Sequence, residues 1–265
     1  MRKVFRYELL LLLLLLTVMI FSSCTTKKIV KVDEKDRIKK IEIFFESINK
    51  RREKIKNIFI EAKADTFTDG KRVKGKLMLS VVRPDKLRID TLSPFEQPIS
   101  TMLVGENKLN FYDFGEKKMY TGQASTQNLS LFLPIRINLR QFIDMFSGIS
   151  PMIAYKKHEF RYIEDSAEYE LILLNDNIKQ RILYVASDLQ IKKVEFYKDN
   201  KRTLLIKFSK IKSNKGIKYA KKIYFEDFNA KSKLKMIITD IEFNGDIDNS
   251  IYFPIEWKYK VEDLD

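Results

Sequence analysis

The chain has 265 residues, with 50 Lys or Arg against 36 Asp or Glu and a net charge of +14, a length that suits one large domain or two small ones. The charge is spread without any block of five or more like residues, so it reads as a solvated lysine-rich surface and not as a nucleic-acid arm. One cysteine and one histidine exclude a disulfide within the chain and a thiolate metal cluster, and any imidazole chemistry would have to use His158 alone.

Arg2, Lys3 and Arg6 precede an apolar run over residues 9–21, which ends in Phe21-Ser22-Ser23-Cys24. A basic start, a short apolar core and small residues before a cleavage point predict a secretory signal peptide over residues 1–23. As a helix the run would span roughly 20 Å, short of the ~30 Å bilayer core. A cysteine directly after the small residues resembles the lipobox of bacterial lipoproteins. That resemblance implies cleavage before Cys24, acylation of its sulfur and new amino terminus, and membrane anchoring through it. With Cys24 acylated, no thiol remains for metal or nucleophilic chemistry. Thr25 stands where the inner-membrane retention signal of many such lipoproteins has Asp. This implies the outer membrane, with the domain facing the periplasm. Residues 24–32 then form the acylated cysteine and a polar tether, and 33–265 a single domain.

From residue 33 the periodicity is helical. Asp33 is a candidate N-cap, and Ile38, Ile41, Phe45, Ile48 and Ile55 recur among charges. This predicts an amphipathic helix over 33–54 whose stripe packs onto the domain. After Asn57 the period becomes two. Leu77, Leu79 and Val81 alternate with Met78 and Ser80, Leu87 and Ile89 with Arg88, and Leu109 and Phe111 with Asn110. The same pattern recurs at Tyr169-Leu171-Leu173, Leu204-Ile206-Phe208, Ile223-Phe225 and Ile237-Thr239-Ile241-Phe243. These are half-buried antiparallel strands, about eleven in all. Turn signals such as Asp69-Gly70, Gly105-Glu106-Asn107 and Asp199-Asn200 separate them.

One interruption breaks the strand series. Ser125 can cap a short helix through Leu129, Leu131, Phe132 and Leu133, stopped before Pro134. Asn138 can cap a second with Leu139, Phe142, Ile143 and Phe146 on one side and Gly148 after its end. A sheet this large must curl, and the helices are the natural cover for its concave face.

Chemical motifs are lacking. Gly70-x-x-x-x-Gly75-Lys76 begins like a phosphate-binding loop, but Leu77 replaces the magnesium-binding hydroxyl and the context is a hairpin. Asp246, Asp248 and Asn249 lack the glycine and distant glutamate of a calcium loop. His158 lies in the charged stretch Lys156-Lys157-His158-Glu159, expected as a solvated turn. No metal, cofactor or enzyme activity is expected.

Residues 84–151 resemble the middle of LolB, the outer-membrane receptor for lipoproteins. The shared order is a strand at Leu87-Arg88-Ile89-Asp90, the loop Leu92-Ser93-Pro94-Phe95, strands over 99–104, 108–113 and 119–121, then the helix pair. The resemblance implies a mainly β (α+β) fold: an unclosed antiparallel β-barrel of about eleven strands, with the N-terminal helix and the central helix pair covering the concave face. It implies a hydrophobic cargo cavity lined by Leu77, Leu79, Leu109, Phe111, Leu129, Leu131, Phe132, Leu133, Phe142, Ile143 and Phe146. It also implies a membrane-insertion loop of Leu92, Pro94 and Phe95, in which Phe95 is either exposed or folded back as a loop anchor. The function implied is that of a monomeric acceptor of lipoprotein acyl chains from a periplasmic LolA-like carrier, which helps insert them into the outer membrane. The same fold could carry another lipid or glycolipid, or hold a filled interior and serve a structural role.

Overall fold

The computed structural model describes residues 29–30, 34–68, 70–133, 136–246 and 259–265. Cys24, the signal and most of the tether lie outside them, as do Asp33, Pro134, Asp248 and Asn249. Helix α1 (Glu34–Lys54) buries Ile41, Phe44 and Ile48, spaced three and four apart as one helical face requires. The expected stripe is rotated slightly. Phe44, and not Phe45, is its centre, and Ile38 is half exposed.

Among the described residues, fifteen strands form one sheet. They are β1 (Ile29–Val30), β2 (Asn57–Thr68), β3 (Lys71–Val82), β4 (Lys86–Leu92), β5 (Pro98–Gly105), β6 (Lys108–Asp113), β7 (Lys118–Gln123), β8 (Lys157–Ile163), β9 (Glu168–Asn175), β10 (Ile178–Val185), β11 (Ile191–Lys198), β12 (Lys201–Asn214), β13 (Ile217–Asp227), β14 (Ser232–Phe243) and β15 (Lys260–Asp263). Their order is β1-β8-β9-β10-β11-β12-β13-β14-β2-β3-β4-β5-β6-β7-β15, and every pairing is antiparallel except β15 on β7. The sheet is unclosed: β7 and β8 do not pair, and the short strands β15 and β1 lie along part of their edges, four residues of β7 and two of β8.

Two features depart from the simple alternation. In β14 the inward side chains are Leu234, Met236 and Ile238, and then Ile241 and Phe243. The register slips between Ile238 and Asp240, so the expected inward set is wrong for Ile237 and Thr239, because a bulge inverts the parity of everything before it. His158 lies inside β8 opposite Leu173, and not in a turn. The flanking charges hide that strand because they stand on a solvated edge.

The helices share the inner face of the sheet. Phe44 of α1 stacks on Tyr184 of β10 with centroids 4.5 Å apart. The helix pair, α2 (Thr126–Phe132) and α3 (Leu139–Phe146), covers the other half. Phe132 stacks on Phe111 of β6 at 4.0 Å. Both caps form where the sequence places them. Ser125 accepts from the backbone N–H of Asn128, and Asn138 from that of Gln141, whose side chain accepts back from the Asn138 N–H. This reciprocal pair satisfies two helix-terminal donors at once. Gly148 takes the left-handed φ of 65° that ends α3.

Candidate functional site

The helix pair does not seal the sheet. Between α2, α3 and the strands β2 to β6, β13 and β14 lies a cavity of about 400 Å³, lined mainly by apolar side chains. Its deep wall is Leu77, Leu79, Ile89, Met102 and Met236, and its roof is Phe132, Leu133 and Phe142. The space exists because two small residues face each other. Ala64 of β2 pairs with Gly75 of β3, and both border the cavity. A Cβ on Gly75 would lie 2.6 Å from the carbonyl oxygen of Leu92, so that position is closed to any side chain.

Seven of the eleven expected lining residues border this cavity: Leu77, Leu79, Phe111, Leu131, Phe132, Leu133 and Phe142. The other four do not. Leu109, Leu129, Ile143 and Phe146 are buried in the close-packed core. Leu109 sits two residues from Phe111 along β6, beyond the deep end of the cavity. Leu129, Ile143 and Phe146 fill the seam between helices and sheet, since a short helix presents one side chain per turn to a given spot. Residues the pattern did not single out complete the wall: Ala64, Thr66, Thr91, Ser100, Arg136 and Asp227. The usable signal was the run of small inward positions Ala62, Ala64, Thr66 and Thr68 in β2.

The mouth lies at the end of the sheet reached by the β2–β3 and β4–β5 turns. Val73, Ile99 and Leu131 border the cavity there, yet are 58%, 39% and 61% exposed. The β4–β5 turn carries Phe95, 87% exposed, so its ring does not fold back. The turn is built to hold that pose. Ser93 Oγ accepts from the N–H groups of Phe95 and Gln97, the Ser93 N–H donates to the Gln97 carbonyl, and the Glu96 N–H donates to the Ser93 carbonyl. Glu96 takes a left-handed φ of 64°, and its carboxylate accepts from Lys76 at 2.9 Å. The Lys76 hydrogen bond holds the Glu96 carboxyl below its usual range and raises the Lys76 ammonium. Pro94 is exposed, and Leu92 is half-buried at the end of β4.

Helix α3 is fixed by a buried ionic clamp. Asp144 accepts from Arg52 of α1 at 2.8 Å and from Arg83 of the β3–β4 turn at 2.7 Å. Arg83 also donates to Ser147 Oγ at 3.0 Å. Arg51 donates to the Ser147 and Lys218 carbonyls. Two elements, α1 and the β3–β4 turn, thus meet on one helix of the cavity roof. Among the described residues, no three His, Cys, Asp or Glu side chains converge as a metal site would require.

No protein-family model matches the sequence, and no curated protein does. Solved structures do match. A DUF1329 family protein from Desulfovibrio piger aligns with a TM-score of 0.58 at 11% identity, covering 80% of this chain and 97% of that one. An outer membrane lipoprotein-sorting protein domain from Vibrio parahaemolyticus gives 0.54 at 13% identity, covering 79% and 94%. A LolA superfamily protein from Nitrosomonas europaea gives 0.53 at 13% identity, covering 79% and 97%. At such identity the likeness concerns architecture. The chain has the LolA-like fold, a large unclosed antiparallel sheet with helices on its inner face.

Proposed function

We propose that this protein is a lipid carrier of the LolB kind, anchored to the outer membrane through an acylated Cys24. In this reading it accepts acyl chains, those of lipoproteins from a LolA-like periplasmic carrier, and releases them into the bilayer. The observation that carries the reading is the apolar cavity beneath the helix pair, open at a rim of exposed Val73, Ile99 and Leu131. Each methylene left in water costs about 0.8 kcal/mol. A preformed dry receptacle removes that cost without covalent chemistry, and transfer needs only a higher affinity at each step. Phe95, Pro94 and Leu92 stand at the same end as the mouth. A phenylalanine that dips into lipid gains about 1.5–3 kcal/mol, enough to orient the mouth toward the membrane and too little to hold the protein there. The lipoprotein-sorting name of the Vibrio parahaemolyticus domain and the LolA name of the Nitrosomonas europaea protein support the same reading.

The test is to fill the cavity. Ala64 faces it from a half-buried position with room above it. Ala64→Phe is expected to keep the melting temperature of the parent and to lose binding of a fluorescent fatty-acid probe. Ala64→Leu should weaken the probe partially. Wild-type binding by a folded Ala64→Phe protein would show that chains do not enter here.

A further inference from the structure

Resting on the lipid-carrier reading, we infer that the cavity takes the acyl chain of an amphiphile with an anionic head, which Arg136 reads at the mouth.

Polarity sets the head. The cavity is apolar at its deep end and hydroxylic toward the mouth. Thr66, Thr68, Thr91 and Ser100 border it, and none of their hydroxyls has a hydrogen-bond partner among the described residues. Inward hydroxyls left without protein partners form a ready donor collar. Three charged side chains border the same region. Asp227 is committed, since its Oδ1 accepts from the N–H groups of Asn229 and Ala230 at 2.9 and 2.8 Å. Arg136 is exposed and has no partner among the described residues. Lys74 also borders the cavity, but it pairs in register with Asp65 and acts on that carboxylate from the convex side. Among the described residues, the free charge at the mouth is therefore the guanidinium of Arg136, whose planar fork suits a carboxylate or phosphate. A chain pointing inward places its head at this collar.

The experiment uses the full mature chain, stripped of co-purified lipid, in competition against a fluorescent fatty acid and in native mass spectrometry. The ligands are dodecanoate, dodecyl phosphate and dodecanol. Dodecanoate and dodecyl phosphate are expected to displace the probe, and their ranking tells a carboxylate from a phosphate source. Dodecanol should bind about tenfold more weakly, and Arg136→Gln should weaken both anions about tenfold while leaving dodecanol unchanged. Equal binding of dodecanol and dodecanoate, or an Arg136→Gln effect equal on all ligands, overturns the anionic head. Both results leave the carrier reading standing, whereas failure of every chain to bind overturns the two together.

Discussion

Replacing Asp144 by Asn removes one charge from the clamp that fixes the cavity roof, without changing its shape. The Asp144 side chain is 4% exposed, Arg83 9% and Arg52 30%. After the substitution Arg52 can turn to water, but Arg83 cannot. It would remain buried beside an amide, retaining one hydrogen bond to Ser147 and losing its counter-charge. Breaking a buried pair from one side costs about 3–5 kcal/mol. Because Asn keeps an acceptor and Arg52 can relax, the lower end, about 3 kcal/mol, is expected. For a domain of this size that corresponds to a fall in Tm of about 6–12 °C. Urea titrations of the parent, Asp144→Asn, Arg83→Met and the combined Asp144→Leu/Arg83→Met protein measure it. The combined change should be less damaging than the sum of the single ones, since no buried charge is left alone. Single variants that each lose less than about 1 kcal/mol would refute the argument, because the pair would then behave as a solvated surface contact.

Phe95→Glu should leave Tm and probe binding near those of the parent, since an 87% exposed side chain contributes little packing. Transfer of cargo to vesicles should slow, so that loaded protein accumulates; a clear drop in Tm with normal transfer would reverse the assignment. Cys24→Ser should abolish incorporation of radioactive fatty acid and shift the protein to an unprocessed or soluble form. Equal label in both proteins would remove the anchor from Cys24.

The helix pair was legible because its signals are local. Ser125, Asn138 and Gly148 act within one helical turn, and each takes the role its chemistry dictates. The strands with strong alternation were legible for the same reason. What escaped depends on non-local geometry. The bulge in β14 inverts the inward set, because register is decided by the partner strand β2. The division of the apolar helix residues into cavity roof and filled seam depends on a depression made by Ala64 and Gly75, two residues that alternation scoring treats as weak. Arg136 is a lone cation in a connection, with no period to mark it. Asp144 carries a signal of its own: a single acid inside Phe142-Ile143-Asp144-Met145-Phe146 must find cations if that helix is buried.

The seam between β14 and β2 bears on how the protein folds. Each half of the sheet, β2 to β7 and β8 to β14, can zip up through successive hairpins, each closing a short loop. The seam joins segments far apart in the chain; Thr239 donates to the carbonyl of Glu61, 178 residues away. Distant pairings of this kind are slow to form because their loop-closure entropy is met before any contact rewards it. Ala64 and Thr66 lie on one side of that seam and Leu234 and Met236 on the other, and all four border the cavity. The receptacle therefore takes its walls from both halves and is complete only when they meet.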